Sequence, residues 1–233
     1  MSSAAPEQWA GSTAELREGI IASGIDPTSW AYAEDYTGED EVVTGARASA
    51  ADSGIAAIGP GAAAALSLLA ASVNAKAVVE IGTGTGVSGL ALLRGMRTDG
   101  TLTTVDIDAE NQRLARKTFL DAGIPSNRFR LIAGAGLDVV TRLTDGHYDL
   151  VFCDADRREN TAYLHEALRL LRPGGVVAFA GLLTGGRVAD PAHRDPDTNA
   201  LRDLIRAVRD DDDLVSALLP TSEGLLTAAK RLT

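Results

Sequence analysis

Residues 78–90, VVEIGTGTGVSGL, join a short apolar strand to a helix through a loop with three glycines spaced two positions apart. Gly82, Gly84 and Gly86 allow the backbone to turn tightly and to approach a ligand closely. The helix that begins near Val87 presents unpaired backbone amides at its amino terminus. The stretch therefore predicts the ligand-binding strand–loop–helix unit of an α/β fold.

The same glycines match the dinucleotide-binding spacing G-x-G-x-x-G through Gly84, Gly86 and Gly89. Asp106 ends the next predicted strand, 20 positions after Gly86, where an acid can bind both hydroxyls of a ribose. In the alternative interpretation, Asp106 or Asp108 only caps the following helix. Asp108 suits that cap, which leaves Asp106 for the ribose.

Glu80 discriminates between the nucleosides that such a loop can bind. A dinucleotide site needs a neutral approach to its pyrophosphate, and a carboxylate two positions before Gly82 would repel that anion. A ligand that carries an ammonium and a sulfonium group suits an acidic site, so Glu80 favours S-adenosylmethionine. The alternative for Glu80 is a salt bridge to the N-terminal region.

From residue 76 onward, strand patterns alternate with helix patterns, which predicts a parallel sheet covered on both faces. Only three residues separate the last two predicted strands, so these strands must pair antiparallel. The expected helices after residue 76 are 87–96, 109–123, 137–143, 160–171 and 199–210. The expected strands are 77–81, 101–107, 128–134, 148–154, 176–181, 214–220 and 224–231.

Residues 1–52 are predicted to form a flexible tail and N-terminal helices. Helix patterns cover 13–23 and 40–54, and an aromatic stretch at 29–36 separates them. A further apolar helix begins at Pro60, a residue suited to a first helical turn. The chain shows no internal repeat and no linker, so residues 53–233 are predicted to form one cofactor-binding domain.

The composition restricts the class of partner and the compartment. A net charge of −10 argues against nucleic acid or an anionic membrane and favours a small-molecule ligand. Cys153 is the single cysteine, which excludes an internal disulfide and a cysteine-based zinc site. No signal-peptide pattern and no run of roughly 18 apolar residues occurs, so we expect a cytoplasmic protein.

A second polar cluster lies in residues 150–160, LVFCDADRREN, where an apolar strand runs directly into charged residues. Asp154 and Asp156 stand at the carboxyl end of this strand, where open α/β sheets bind ligands. Arg157 and Arg158 follow at once. The cluster therefore predicts a ligand or catalytic site, and the alternative is a solvated group of ion pairs.

Five stretches occur in order and together resemble one family, the class I S-adenosylmethionine-dependent O-methyltransferases. They are VVEIGTGTGVSG, LTTVDIDAEN, YDLVFCDADR, LRPGGVV and LLPTSEGLLTAAK. The resemblance covers residues 53–233 and is closest to the subgroup with the catechol and caffeoyl-coenzyme A enzymes. It implies a Rossmann-like, doubly wound, seven-stranded and mostly parallel sheet with an antiparallel last strand and an N-terminal helical annex. It also implies a homodimer.

The resemblance assigns roles to individual residues. At the methionine end of S-adenosylmethionine it implies Glu80, Gly82, Thr83 and Ser88, with Ile58 near the cofactor from the annex and Gly84 as a further cofactor-binding residue. At the nucleoside end it implies Asp106 for the ribose, and Ile107 and Ala135 for the adenine. Asp156 would bind the cofactor close to Asp154. Asp154 would face both the methyl donor and the acceptor, as a catalytic, cofactor and substrate residue, and Arg157 would contact the substrate.

Two departures from the family pattern affect the chemistry. Metal-dependent members carry an Asp-Asn pair at the end of the fifth strand, where this chain has Ala180 and Gly181. Asp154 alone is half of such a site, so we expect no divalent metal. The family pattern also commonly has a lysine at the position of Arg157, and arginine stays protonated and cannot act as a general base.

His193 is the remaining candidate for a base, because imidazole titrates near neutrality. It lies in the polar loop 183–198, which can border an acceptor pocket. The alternative is a surface histidine without a function. His147 and His165 suggest no role.

We therefore predict a cytoplasmic S-adenosylmethionine-dependent methyltransferase that acts on an oxygen of a small molecule without a metal. One alternative is a cofactor-binding protein that has lost catalysis, which Ala180, Gly181 and Arg157 favour. A dinucleotide-dependent oxidoreductase is the other, supported only by the glycine spacing. The aromatic N-terminal residues Trp9, Trp30, Tyr32 and Tyr36 favour a homodimer.

Overall fold

The computed structural model describes residues 26–232, and within that range seven strands form one sheet. The spatial order is β3-β2-β1-β4-β5-β7-β6, and β7 runs antiparallel to both of its neighbours. This is the predicted doubly wound, mostly parallel sheet with an antiparallel last strand. The strands are β1 (Ala77–Ile81), β2 (Thr101–Asp106), β3 (Phe129–Ala133), β4 (Tyr148–Cys153), β5 (Leu171–Ala180), β6 (Leu214–Leu219) and β7 (Leu225–Lys230).

Helices cover both faces of the sheet, and short 3-10 turns at Ser126–Arg128, Arg157–Glu159 and Thr184–Ala189 join some of the elements. In the part of the chain that the structure describes, no helix has the length and apolar character to cross a membrane. The α-helices are α1 (Pro27–Glu34), α2 (Glu41–Asp52), α3 (Pro60–Ser72), α4 (Val87–Gly95), α5 (Ala109–Asp121), α6 (Gly136–Val140), α7 (Asn160–Leu170) and α8 (Pro196–Arg209).

The aromatic stretch that the sequence analysis left between two helices is itself largely helical, as α1. Asp26 accepts hydrogen bonds from the backbone amides of Thr28 at 2.7 Å and Ser29 at 3.0 Å, and Pro27 occupies the first helical position. This cap and the proline together start a helix, although the segment has no apolar periodicity. The predicted helix 13–23 lies outside the described residues.

The starts of α8 and β5 also differ from the prediction. Helix α8 begins three residues early, at Pro196, because the Asp195 side chain accepts a hydrogen bond from the Thr198 amide at 3.0 Å. Strand β5 begins at Leu171 rather than at residue 176, with an irregular register opposite Tyr148 and Leu150. The RPGG segment that ends α7 therefore already belongs to the sheet.

Alternate residues of the central strands pack into two separate hydrophobic cores, one on each face of the sheet. Val78 of β1 and its partner Leu150 of β4 face α3, α4 and α5, whereas Val79 and Val151 face α7 and α8. All four are fully buried, as expected for parallel strands covered on both sides. Helical partners in the two cores include Leu66, Leu90, Phe119, Leu164 and Leu204.

Helix α2 packs into the first of these cores through Val43 and Ala46. The Ala46 carbonyl also accepts a hydrogen bond from the buried Thr85 hydroxyl in the glycine loop, at 2.9 Å. The N-terminal annex thus contacts and stabilises the glycine loop. The predicted division into two parts at residue 52 stays a prediction.

Strands β1 and β4 lie side by side, yet the chain leaves them towards opposite faces of the sheet. Helix α4 follows β1 on one face, and α7 follows β4 on the other. This divergence opens a crevice at the carboxyl ends of the two strands, the place where doubly wound sheets bind ligands. Gly82 and Asp154 stand at its base.

Candidate active site

The glycine loop passes directly over the end of β4. Gly82 has a φ of +95°, and a Cβ atom at this position would lie 2.0 Å from the carbonyl oxygen of Asp154. A side chain would therefore overlap with backbone, so only glycine allows the two strand ends to meet this closely. The loop then turns at Gly86, whose φ of +89° leads into α4.

Two adjoining cavities open at this edge, and Gly82, Asp106 and Asp154 line both. The first, of about 180 Å³, extends towards Ile58 and Ser88. The second, of about 300 Å³, extends the other way. Its additional lining residues include Ile107, Ala135, Asp156, Glu159 and Tyr163. The shared residues make the pair one elongated cleft with a polar centre, and its size suits a nucleoside-containing ligand.

Glu80 lies beneath the loop rather than on the cavity surface. Its side chain is fully buried and accepts hydrogen bonds from the hydroxyls of Ser88 and Thr104, both at 2.6 Å. Burial raises the pKa of Glu80 to about 8, and the nearby Asp154 and Asp106 add to the rise. Glu80 thus acts on the cavity through Ser88, which lines it, and no salt bridge to the annex forms within the described residues.

A polar chain continues from Glu80 across the sheet. The Thr104 and Thr83 hydroxyls lie 2.6 Å apart, and the side-chain amide of Gln112 donates to Thr83 Oγ1 at 2.9 Å. These groups are buried, so their hydrogen bonds fix the loop on β2 and α5. Thr104 and Gln112 were not predicted from the sequence, although Thr104 is the β2 residue in register with Glu80.

Asp106 accepts hydrogen bonds from several groups around the first cavity. Its Oδ2 accepts from the amides of Thr83 and Gly84, both at 3.0 Å. Its Oδ1 accepts from the Asp108 amide at 2.9 Å and from the Asn111 side chain at 3.2 Å. Asp108 caps α5, as expected, but Asp106 is not left free, because four donors already occupy about all the positions that a carboxylate offers.

Asn111 is a cavity residue that the sequence analysis missed. It lines the first cavity and makes the longest of the four hydrogen bonds to Asp106. Its side chain can rotate away, whereas the three backbone donors are fixed, so Asn111 is the partner that a ligand hydroxyl can replace most easily. Its position in the first turn of α5, behind the Asp108 cap, was the available sequence signal.

Asp154 sits where the two cavities meet. It is exposed to the open cleft, while protein surrounds the carboxyl group on its other sides, so the group is more strongly desolvated than its exposure suggests. Burial raises the pKa of Asp154 to about 6, although the positive charge of Arg157 opposes the rise. At neutral pH the carboxylate form can therefore accept a proton more readily than an ordinary aspartate.

Arg157 reaches from the turn after β4 to the end of β5. Its Nη2 donates to Thr184 Oγ1 at 2.9 Å, and a Cβ atom on Gly181 would lie 3.4 Å from the same nitrogen. The Thr184 hydroxyl also lies 2.7 Å from the Gly181 carbonyl oxygen and 3.0 Å from Glu223 Oε2. The guanidinium therefore stands beside the strand end where the sequence lacks an Asp-Asn pair.

The residues present do not fit a divalent cation at this strand end. Ala180 and Gly181 have no side-chain oxygen, and the Arg157 guanidinium would repel a second positive charge beside Asp154. Among residues 26–232, no three His, Cys, Asp or Glu side chains come close enough to hold a metal ion.

The other candidate residues are more peripheral. Asp156 lines the second cavity and accepts a hydrogen bond from the Arg158 amide at 3.0 Å. Arg158 pairs with Asp197 at 2.8 Å, and within residues 26–232 no ion pair joins Asp154 or Asp156 to Arg157 or Arg158, so the alternative interpretation of a local ion-pair cluster is not supported. His193 is half exposed, lies 3.7 Å from Asp190 and lines neither cavity, so its role as a base stays a prediction.

Comparison with known proteins decides the family. The sequence profile of the O-methyltransferase family matches residues 39–231. The chain belongs to this O-methyltransferase family. The match begins within the N-terminal annex, before α2, and ends after β7.

Individual relatives agree with this assignment. A Mycobacterium tuberculosis protein named as a probable O-methyltransferase is 48% identical over 201 residues, which are 86% of this chain and 90% of the relative. A Corynebacterium glutamicum crystal structure aligns with a TM-score of 0.81 at 34% identity, over 87% of this chain and 95% of that chain. The O-methyltransferase TomG of Streptomyces achromogenes, solved with S-adenosylmethionine, has a TM-score of 0.76 at 26% identity, over 83% and 91%.

Family membership confirms the predicted enzyme class, and neither alternative, a cofactor-binding protein without catalysis or an oxidoreductase, is favoured. The predicted cleft residues, apart from Glu80, Arg157 and His193, line the two cavities. Thr104, Asn111, Gln112, Thr184 and Glu223 were missed.

Proposed function

We propose that this O-methyltransferase binds S-adenosylmethionine in the two-cavity cleft and transfers its methyl group to an oxygen atom of a small molecule without a divalent metal. The observation that carries the proposal is the meeting of Gly82, Asp106 and Asp154 at the point where β1 and β4 diverge. It combines a closely approaching backbone, a ribose-type carboxylate and an acid at the centre of one cleft.

The polar ends of the cleft match the ends of the ligand. Asp106 and Asn111 suit the ribose hydroxyls, and Ile107, which is 80% exposed beside Ala135, offers an apolar surface to an adenine ring. Ser88, supported by Glu80 below it, suits the methionine end. Ile58 covers this end from the annex. S-adenosylmethionine supplies an electrophilic methyl group on a sulfonium.

The chain's own groups would manage the acceptor. The acceptor oxygen must lose a proton as it gains the methyl group, and the sulfonium becomes a neutral thioether. Asp154 lines both cavities, so it is the group placed to hold the acceptor hydroxyl and accept its proton. Arginine is not a general base in proteins, so Arg157 contributes electrostatics rather than proton transfer.

Much of the rate would come from holding the methyl group and the acceptor oxygen in line, since proximity and orientation alone can contribute about 7–11 kcal/mol. This contribution requires neither a metal nor a strong base. It therefore fits a cleft in which Asp154 is the base and no cation-binding site lies beside it.

The metal-free character has a direct test in purified protein. Methyl transfer to a panel of phenols should be unchanged by EDTA and by added magnesium. The double variant Ala180→Asp with Gly181→Asn supplies two oxygen ligands and serves as the matched control, in which magnesium binding should rise. Loss of turnover in EDTA that magnesium restores would contradict the proposal.

Binding of the cofactor is tested separately by calorimetry with S-adenosylhomocysteine and with NAD. We expect a one-to-one complex with S-adenosylhomocysteine and no measurable binding of NAD. The reverse preference would refute the cofactor assignment.

We also propose a homodimer and a cytoplasmic location. Tyr32 and Tyr36 of the annex are 74% and 77% exposed, and Trp30 is exposed beside them, an aromatic surface typical of protein interfaces. The fourth aromatic residue of the prediction, Trp9, lies outside the described residues. A cytoplasmic location agrees with the acidic composition and the single cysteine.

A further inference from the structure

Arg157 is a half-buried cation with few partners. A guanidinium offers five N–H donors. Within residues 26–232 the side chain of Arg157 donates one hydrogen bond, to the neutral hydroxyl of Thr184 at 2.9 Å, and no carboxylate lies within ion-pair distance. Its neighbour Arg158 is more exposed yet forms an ion pair with Asp197 at 2.8 Å. Of the two arginines, the less solvated one is therefore the one without an anion.

This arrangement is costly unless a further partner arrives. Buried or half-buried charges are normally paired, because desolvation of an unpaired charge is unfavourable. The chain has ten more acidic than basic residues, so carboxylates are not scarce. Arg157 directly follows the cavity residue Asp156 and nonetheless has no carboxylate partner, so it is available to an anion from outside the chain.

One hydrogen bond positions the guanidinium at the end of β5. Thr184 accepts from Nη2, and its hydroxyl is in turn within 2.7 Å of the Gly181 carbonyl and 3.0 Å of Glu223. Gly181 has no side chain to fill the space beside Nη2. The remaining N–H groups therefore stay available, and the head group is anchored instead of moving freely in solvent.

The position also relates Arg157 to the reacting end of the cleft. Its charge acts on Asp154, which lines both cavities, but the two side chains do not pair directly. Cys153 pairs with Phe179, so Asp154 and Ala180 follow at the ends of adjacent strands, and Arg157 Nη2 lies beside the next residue, Gly181. A molecule that lies against Asp154 is therefore within reach of Arg157. Glu223, which hydrogen-bonds with Thr184, also acts on Asp154 and offsets part of the positive field of Arg157.

We propose that Arg157 binds a carboxylate of the methyl acceptor, next to the oxygen that receives the methyl group. The inference rests on the proposed function and names its substrate class, a hydroxylated carboxylic acid. A carboxylate has two oxygens that match two parallel N–H groups of a guanidinium, which gives both affinity and a defined orientation. Asp154 would then face the hydroxyl of the same molecule.

The test uses the full-length protein saturated with S-adenosylhomocysteine and a panel of hydroxybenzoates, each compared with its hydroxybenzamide. The acid and the amide differ in charge and little in shape. We expect at least one acid to bind at least about tenfold more tightly than its amide in calorimetry, since hydrogen bonds to charged groups are the stronger ones.

The variants Arg157→Met, Arg157→Lys and Arg158→Met complete the design. Arg157→Met should lose the preference for the acid, whereas Arg157→Lys should keep part of it because a charge remains without the forked geometry. Arg158→Met is the matched control, and it should keep the full preference. An unchanged melting temperature and S-adenosylhomocysteine affinity in Arg157→Met would show that the fold and the cofactor site are intact.

The outcomes separate this inference from the function on which it rests. A wild-type protein that does not bind S-adenosylhomocysteine overturns both. A protein that binds it but prefers no acid over its amide overturns the carboxylate site alone. The same holds if Arg157→Met keeps the preference, or if Arg158→Met loses it to the same extent.

Discussion

Replacement of Glu80 by glutamine should remove a pH dependence that the buried carboxyl group imposes on stability. The ordinary pKa of this side chain is 4.5, which applies to the unfolded chain, and burial raises the pKa of Glu80 to about 8 in the folded protein. Between the two values the folded protein holds a proton that the unfolded chain has released. Stability is therefore highest below the unfolded pKa and falls as the pH rises towards the folded one.

The size of the effect follows from the shift. Each pKa unit corresponds to about 1.4 kcal/mol, so the contribution of Glu80 to the free energy of unfolding should fall by about 3 kcal/mol between roughly pH 5 and pH 8. Glutamine resembles the protonated carboxyl group in shape. It can accept from Ser88 and donate to Thr104, so the hydrogen bonds of the site survive.

The measurement is urea unfolding of the wild type and of Glu80→Gln at a series of pH values without ligand. We expect the variant to become more stable than the wild type as the pH rises, by about 3 kcal/mol over this interval. Glu41→Gln, which removes an exposed carboxylate at the start of α2, is the control and should follow the wild type. If the gap between wild type and Glu80→Gln changes by less than about 1 kcal/mol, the raised pKa of Glu80 is refuted.

Two further predictions concern the nucleoside end and the assembly. Asp106→Asn should weaken S-adenosylhomocysteine binding at least about tenfold. The NH2 group of asparagine would face a backbone N–H that needs an acceptor, and the hydrogen bonds to a charged carboxylate, worth roughly 1.5–3 kcal/mol each, would be lost. Calorimetry with unchanged affinity in a folded variant would disprove the role of Asp106. Light scattering at micromolar concentration should give twice the chain mass of 24.2 kDa. Tyr32→Ser with Tyr36→Ser should weaken this dimer, and a monomeric wild type would rule it out.

Local sequence determined the architecture and the place of the cleft. The glycine loop after β1 and the acid that ends β2 lie within short windows, where strand and helix periodicity and glycine spacing act directly. The three-residue connection between β6 and β7 allowed only antiparallel pairing, which the register confirms. Helix α1 was not predicted, because its start depends on the Asp26 cap rather than on an apolar stripe.

Tertiary structure alone decided how the charged groups behave. Glu80 was predicted as an acid on the cavity surface, but strand register places it opposite Thr104 and under the loop, where burial keeps its proton. Asp106 was predicted to be free, but the glycine loop that follows β1 brings the amides of Thr83 and Gly84 onto it.

Arg157 shows most clearly that the sequence does not reveal the tertiary partners of a charged group. The sequence identified Arg157 as an unusual residue, yet Thr184 and Glu223, which fix its position, lie 27 and 66 residues further along the chain. Periodicity and spacing report on neighbours within a few residues, whereas desolvation and hydrogen-bond partners depend on which distant segments the sheet brings together. The sequence therefore specified the family and the cleft, and the fold determined which of its charges are paired, protonated or open to a ligand.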